Sequence, residues 1–125
     1  MDRERYDKGR RMREAVLGAE HVAKARDAAD DFGLPFQELA TEYAWGAIWS
    51  RPGLDLRARS ILTLGMLCAQ NRAREIKLHI RGALANGVTR DELREIFMQV
   101  GVYCGMPAAV EAFRCAREVF AEMEE

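Results

Sequence analysis

EIKLHIRGALANGVTRDELREIF, residues 75–97, holds the end of one helix, a turn and the start of the next. Ile76, Ile80, Ala83 and Leu84 recur at the three-to-four residue spacing of a helix with one buried face. That helix is predicted to run from about Ala73 to Asn86 and to stop at Gly87, a residue suited to the left-handed position that closes many helices. Thr89 and Glu92 then have the spacing of a capping box, and Val88 can staple onto Leu93. Leu93, Ile96, Phe97, Val100 and Cys104 give the second helix its expected buried face. A stop and a start this close together describe a helical hairpin.

The same periodicity extends outward in both directions. Gly105 closes the second helix, and Pro107 suits the first turn of a last one with Val110, Phe113, Val119, Phe120 and Met123 as expected core positions. The acidic Glu122, Glu124 and Glu125 are expected to fray. Upstream, Asp55 is placed to cap a helix containing Ile61, Leu62, Leu64, Met66, Leu67, Cys68 and Ala69, apolar on nearly every side. A small monomer has too little interior to bury such a helix all round, so a contact between subunits is expected. Earlier still, Phe36, Leu39, Ala40, Tyr43, Ala47 and Ile48 form one stripe, closed by Pro52 and Gly53. Val22, Ala25, Ala29 and Phe32 form another, stopped at Gly33. No strand-like alternation appears. The prediction is one all-α domain over residues 1–125, with about six or seven helices.

Lys and Arg total 19 against 20 Asp and Glu, a net charge of -1. That balance argues against nucleic acid or a membrane surface as the partner, since both favour a cationic excess. Arg3, Arg5, Lys8, Arg10, Arg11 and Arg13 are interleaved with Asp2, Glu4, Asp7 and Glu14, which describes a salt-bridged, solvated helix face. No apolar run approaches the roughly 18 residues of a membrane span, and the charged start lacks the apolar stretch of a secretion signal. Cys68, Cys104 and Cys115 are an odd number with no Cys-x-x-Cys, which suits reduced thiols and a cytoplasmic protein. With two distant histidines, His21 and His79, and no Cys/His cluster, no metal site is expected.

Two constellations carry possible chemistry. Glu75, His79 and Asn86 fall on a stripe beside the core face of their helix, with Gly82 between them. A carboxylate one turn from an imidazole can orient and charge it, so the pair reads as an acid/base centre or as an ordinary surface pair. Glu42, Trp45 and Trp49 lie at i, i+3 and i+7 on a face distinct from the Tyr43/Ala47 stripe. A carboxylate among indoles has either a partner or a task. Arg57, Arg59, Arg72 and Arg74 bracket the apolar helix, placed either to fork onto carboxylates or to form surface pairs.

Taken together, Glu42-Tyr-Ala-Trp-Gly, Trp49-Ser-Arg-Pro-Gly-Leu, Arg57 and Arg59-Ser60 resemble the carboxymuconolactone decarboxylase family. So do Glu75-Ile-Lys-Leu-His79, Ala83-Leu-Ala-Asn-Gly87, Asp91-Glu-Leu and Tyr103-Cys-Gly-Met-Pro107-Ala-Ala. The likeness spans about residues 36–120 and leaves 1–35 as N-terminal helices. It implies an AhpD-like bundle of helical hairpins that assembles as a homo-oligomer, commonly a hexameric trimer of dimers. Peroxidase-type relatives carry a Cys-x-x-Cys with a histidine four residues past the second cysteine. Counted back from His79, those places hold Arg72 and Glu75, so that chemistry is not inherited.

The resemblance implies decarboxylation of γ-carboxymuconolactone to β-ketoadipate enol-lactone, in aromatic-acid breakdown and without a cofactor. Carried onto this sequence, His79 supplies the proton, Glu75 or Glu42 orients it, and Arg59, with Arg72 or Arg51, holds the substrate carboxylates. Trp45, Trp49 and Tyr103 wall the pocket. Two alternatives remain: an acid/base enzyme acting on another small lactone or keto acid, and a non-catalytic or thiol-redox oligomeric binding protein.

Overall fold

The computed structural model describes residues 1–124; of the expected fraying tail, Glu125 lies outside the described residues. Among the described residues the chain is helical with no strand, as the periodicity predicts. No helix among them is long and apolar enough to cross a membrane. The chain forms two compact units, Met1–Leu56 and the remainder from Arg57.

The first unit contains α1 (Arg3–Leu17), α2 (Ala19–Ala28) and α3 (Leu34–Ala40), which continues directly into a π-helical segment, Thr41–Trp49. Asp2 caps α1 by accepting from the Arg5 N–H at 3.0 Å, and Arg10 pairs with Glu14 at 3.7 Å on its charged face. The expected stripe from Val22 to Phe32 is shorter than its spacing suggests. Val22 is buried, but the backbone leaves the helix at Ala29, and Phe32 is 94% exposed. The Asp30 carboxylate accepts the Gly33 N–H at 2.8 Å, a local turn that competes with continued helix.

The next stripe is also corrected. Phe36, Leu39, Tyr43 and Ile48 are exposed, whereas Thr41, Trp45 and Gly46 are buried. A π-helix bonds i to i+5 and has a wider turn than an α-helix, so counting faces at 3.6 residues per turn drifts out of phase across it. The backbone of α1 also selects the face. A Cβ on Gly46 would collide with the carbonyl of Arg5, and one on Gly9 would collide with the carbonyl of Thr41. The two segments touch where neither has a side chain.

The second unit holds α4 (Leu56–Ala69), α5 (Ala73–Ala85), α6 (Arg90–Cys104) and α7 (Met106–Met123). Its core gathers Leu64 and Cys68 from α4, Ile76, Ile80 and Ala83 from α5, Leu93, Phe97 and Val100 from α6, and Ala112, Cys115, Ala116 and Val119 from α7. The α5–α6 turn follows the sequence reading closely. Gly87 sits at φ 93°, and the Val88 N–H bonds back to Ala83 at 2.9 Å, closing α5. Thr89 and Glu92 bond reciprocally to each other's backbone N–H, at 3.1 and 3.0 Å.

On α7 the expected core residues Val110 and Met123 are exposed, and Phe113 and Phe120 are half-buried. The seam is made instead by Ala108, Ala109, Ala112, Cys115, Ala116 and Val119. It faces Gly101 of α6, so close approach rather than side-chain bulk decides the face. Cys104, expected in the core, is exposed. On α4, Ser60, Leu64 and Cys68 face inward, and Leu62 and Met66 are about half exposed.

Candidate active site

On α5 the buried row Ile76, Ile80 and Ala83 orients the helix, and the adjacent stripe carries the polar residues. Glu75 in the first turn is exposed. His79, one turn on, is half-buried, and its Nδ1 is shielded from solvent. The two share a face of α5 one turn apart. Gly82 is buried, consistent with the close packing that its missing side chain permits. Asn86, at the end of the stripe, donates from Nδ2 to Ser60 Oγ at 3.0 Å, tying the end of α5 to the start of α4. Ser60 is fully buried, and the sequence reading gave it no role. A serine on the inner face of an otherwise apolar helix was the available signal.

Arg59, the neighbour of Ser60, is half-buried with its Nε shielded from solvent. The other arginines are more open. Arg57 is ion-paired to Glu92. Arg72 is the N-cap of α5 and exposed, and Arg51 is exposed beyond the π-helix, its N–H bonded to Ile48 at 3.0 Å. Tyr103 lies on the outer side of α6, 81% exposed, where it lines a 410 Å³ apolar groove with Leu62, Met66 and Cys104. None of the α5 stripe lines that groove.

Within the first unit the π-helix carries the other constellation. The rings of Trp45 and Trp49 stack with centroids 4.7 Å apart and planes 25° apart. Glu42 is half-buried and accepts the Asp2 N–H at 3.0 Å, which supplies the partner its position demanded.

Cys68 and Cys115 are buried and Cys104 is exposed, all free. Burial pushes the Cys68 thiol up to about 11, and burial also raises Cys115, so both are held as neutral thiols at neutral pH.

Comparison with known proteins shows the family. The model of the carboxymuconolactone decarboxylase family matches residues 35–118. The chain belongs to that family. It is 45% identical over 98% of its length to nitrosuccinic acid decarboxylase of Metarhizium robertsii, covering 86% of that protein. It is 40% identical, again over 98% of its length, to 4-carboxymuconolactone decarboxylase of Acinetobacter baylyi, covering 91% of that protein. These relatives support a decarboxylase, a carboxy-lyase of the carboxymuconolactone decarboxylase type. The all-α bundle described above fits the family as well.

Proposed function

We propose that the chain decarboxylates γ-carboxymuconolactone to β-ketoadipate enol-lactone, without a cofactor, in the breakdown of aromatic acids. The observation that carries this reading is the setting of His79: an imidazole half-buried with Nδ1 shielded, on the face of α5 that also carries Glu75. As the carboxylate on the γ-carbon leaves as carbon dioxide, the electron pair of the broken C–C bond moves through the ring alkene to the lactone carbonyl. The resulting dienolate takes a proton at its α-carbon. The substrate carries its own electron sink, so the protein has to hold two carboxylates, stabilise an oxyanion and deliver one proton.

In this proposal Arg59, with Arg72 or Arg51, binds the carboxylates, and His79 delivers the proton. Glu75 or Glu42 orients the imidazole, and Trp45 and Trp49 supply apolar wall. Preorganised oxyanion donors are worth about 3–4 kcal/mol, and a placed acid about 10²–10⁴-fold in rate. The same reading has the enzyme working in the cytoplasm as a homo-oligomer, a trimer of dimers, with the apolar outer face of α4 in the contact.

The similarity to a nitrosuccinic acid decarboxylase favours a second reading on the same site. In nitrosuccinic acid the carbon that loses carbon dioxide bears a nitro group, which accepts the electron pair as a nitronate before that carbon is protonated. Both substrates are small dicarboxylates with a built-in sink. Purified protein should release one carbon dioxide per γ-carboxymuconolactone, followed by loss of the lactone's ultraviolet absorbance, with a higher kcat/KM than on nitrosuccinic acid. The reverse order would install the second reading, and turnover of neither would remove both.

A further inference from the structure

We propose that Arg13 is a positioning residue, holding Thr41–Trp49 in its π-helical form from α1 and thereby setting the stacked indoles of Trp45 and Trp49. That these indoles face substrate rests on the function proposed above; the geometry of the hold does not.

A π-helix is rare beyond a single turn, and backbone in a seldom-used form persists only where its surroundings over-determine it. Here the constraint comes from α1, and it acts at the place where α-helix gives way to π-helix. The Arg13 guanidinium donates from Nη1 to Gln37 Oε1 at 3.1 Å and to Thr41 Oγ1 at 3.3 Å. Gln37 belongs to α3, and Thr41 is the first π-helical residue. The Thr41 hydroxyl in turn donates to the Gln37 carbonyl at 2.8 Å, so one hydroxyl receives the arginine and ties off the turn beneath it.

Two further contacts support the same segment. The Asp2 N–H reaches Glu42, and the glycine crossing at Gly9 and Gly46 lets α1 lie against the widened turns. Glycines permit that approach but do not direct it. Arg13 supplies the direction: it is half-buried, and Thr41 is 5% exposed, so its hydrogen bonds lie where water competes poorly. Releasing Thr41 would let the segment relax toward α-helical winding and change the angular offset between positions 45 and 49. Arg13 lies outside residues 35–118, the part matched by the family model, so the hold comes from the N-terminal helix and not from the matched segment.

The chain has two tryptophans, both in this segment, so their stack is a private optical reporter. Excitonic coupling between stacked indoles gives a couplet in the far-ultraviolet circular dichroism. Thr41→Val removes the hydroxyl at nearly constant volume, Thr41→Ser keeps it, and Arg13→Met removes the donor. We expect Thr41→Ser to retain the couplet, and Thr41→Val and Arg13→Met to lose most of it with peptide helicity kept. In the enzyme that turns over, both losses should raise KM about tenfold with little change in kcat, as for a lost charge-assisted hydrogen bond that shapes binding. Should Arg13→Met fail to fold, Thr41→Val decides. A couplet unchanged in Thr41→Val overturns the proposal, whereas a lost couplet with unchanged KM upholds the positioning role and overturns only the placement of the indoles against substrate. Absence of turnover in the unmodified protein would sink the proposed function, while the couplet would still decide whether Arg13 holds the π-helix.

Discussion

Cys68 is 1% exposed in the core of the second unit, and a thiolate there would lose its hydration without gaining a cationic partner. That loss, with smaller repulsion from Cys115 and Cys104, is what pushes it up to about 11. At neutral pH, alkylation should therefore leave Cys68 and Cys115 largely untouched until the protein is denatured; rapid labelling of Cys68 in the native protein would contradict its placement. The linkage has a definite sign. The folded thiol holds its proton more tightly than the unfolded one, so its contribution is fully present below the unfolded value near 8.5–9 and is lost as pH rises toward about 11, on the order of 2–3 kcal/mol in all. At this scale the sequence was only partly legible. The spacing of Glu75 and His79 could be read directly, but Ser60 and Arg13 take their roles from residues 26 and 28 positions away, which no local pattern reveals.

The turn from α5 to α6 was legible because each of its signals is local. Glycine is favoured where φ is positive, and the capping box closes over three residues. Gly87→Ala should accordingly cost about 1–2 kcal/mol, since a Cβ there finds open space but the backbone at φ 93° remains strained. Thr89→Ala should cost about 1 kcal/mol through the lost cap. Chemical denaturation of each variant checks both, and a neutral Gly87→Ala would mean that the turn is not held in this form. The π-helix and the alanine seam of α7 were not legible for a common reason. Periodicity assumes a fixed number of residues per turn and takes large apolar side chains as the buried ones. A widened turn shifts the phase, and a seam opposite Gly101 buries alanines while Val110 and Met123 stay outside.

Across the whole molecule, the charge balance and the helix count were readable from composition and pattern, and the family followed from motifs spread along the chain. Assembly is where the fold leaves surface to account for: Leu62 and Met66 are about half exposed beside the 410 Å³ apolar groove that Tyr103 lines. If that face joins subunits as proposed, the 14.2 kDa chain should scatter light as a multimer, and Met66→Glu should lower the mass by burying a charge in the contact. A monomeric unmodified protein would contradict the proposed assembly. The chemical account rests on the proton that follows carbon dioxide, and the most direct test is turnover of γ-carboxymuconolactone by the unmodified enzyme and by His79→Gln, with circular dichroism to confirm equal helicity. The account predicts that the substitution lowers kcat by about 10²–10⁴-fold with the fold intact. Equal turnover by the two proteins would contradict it.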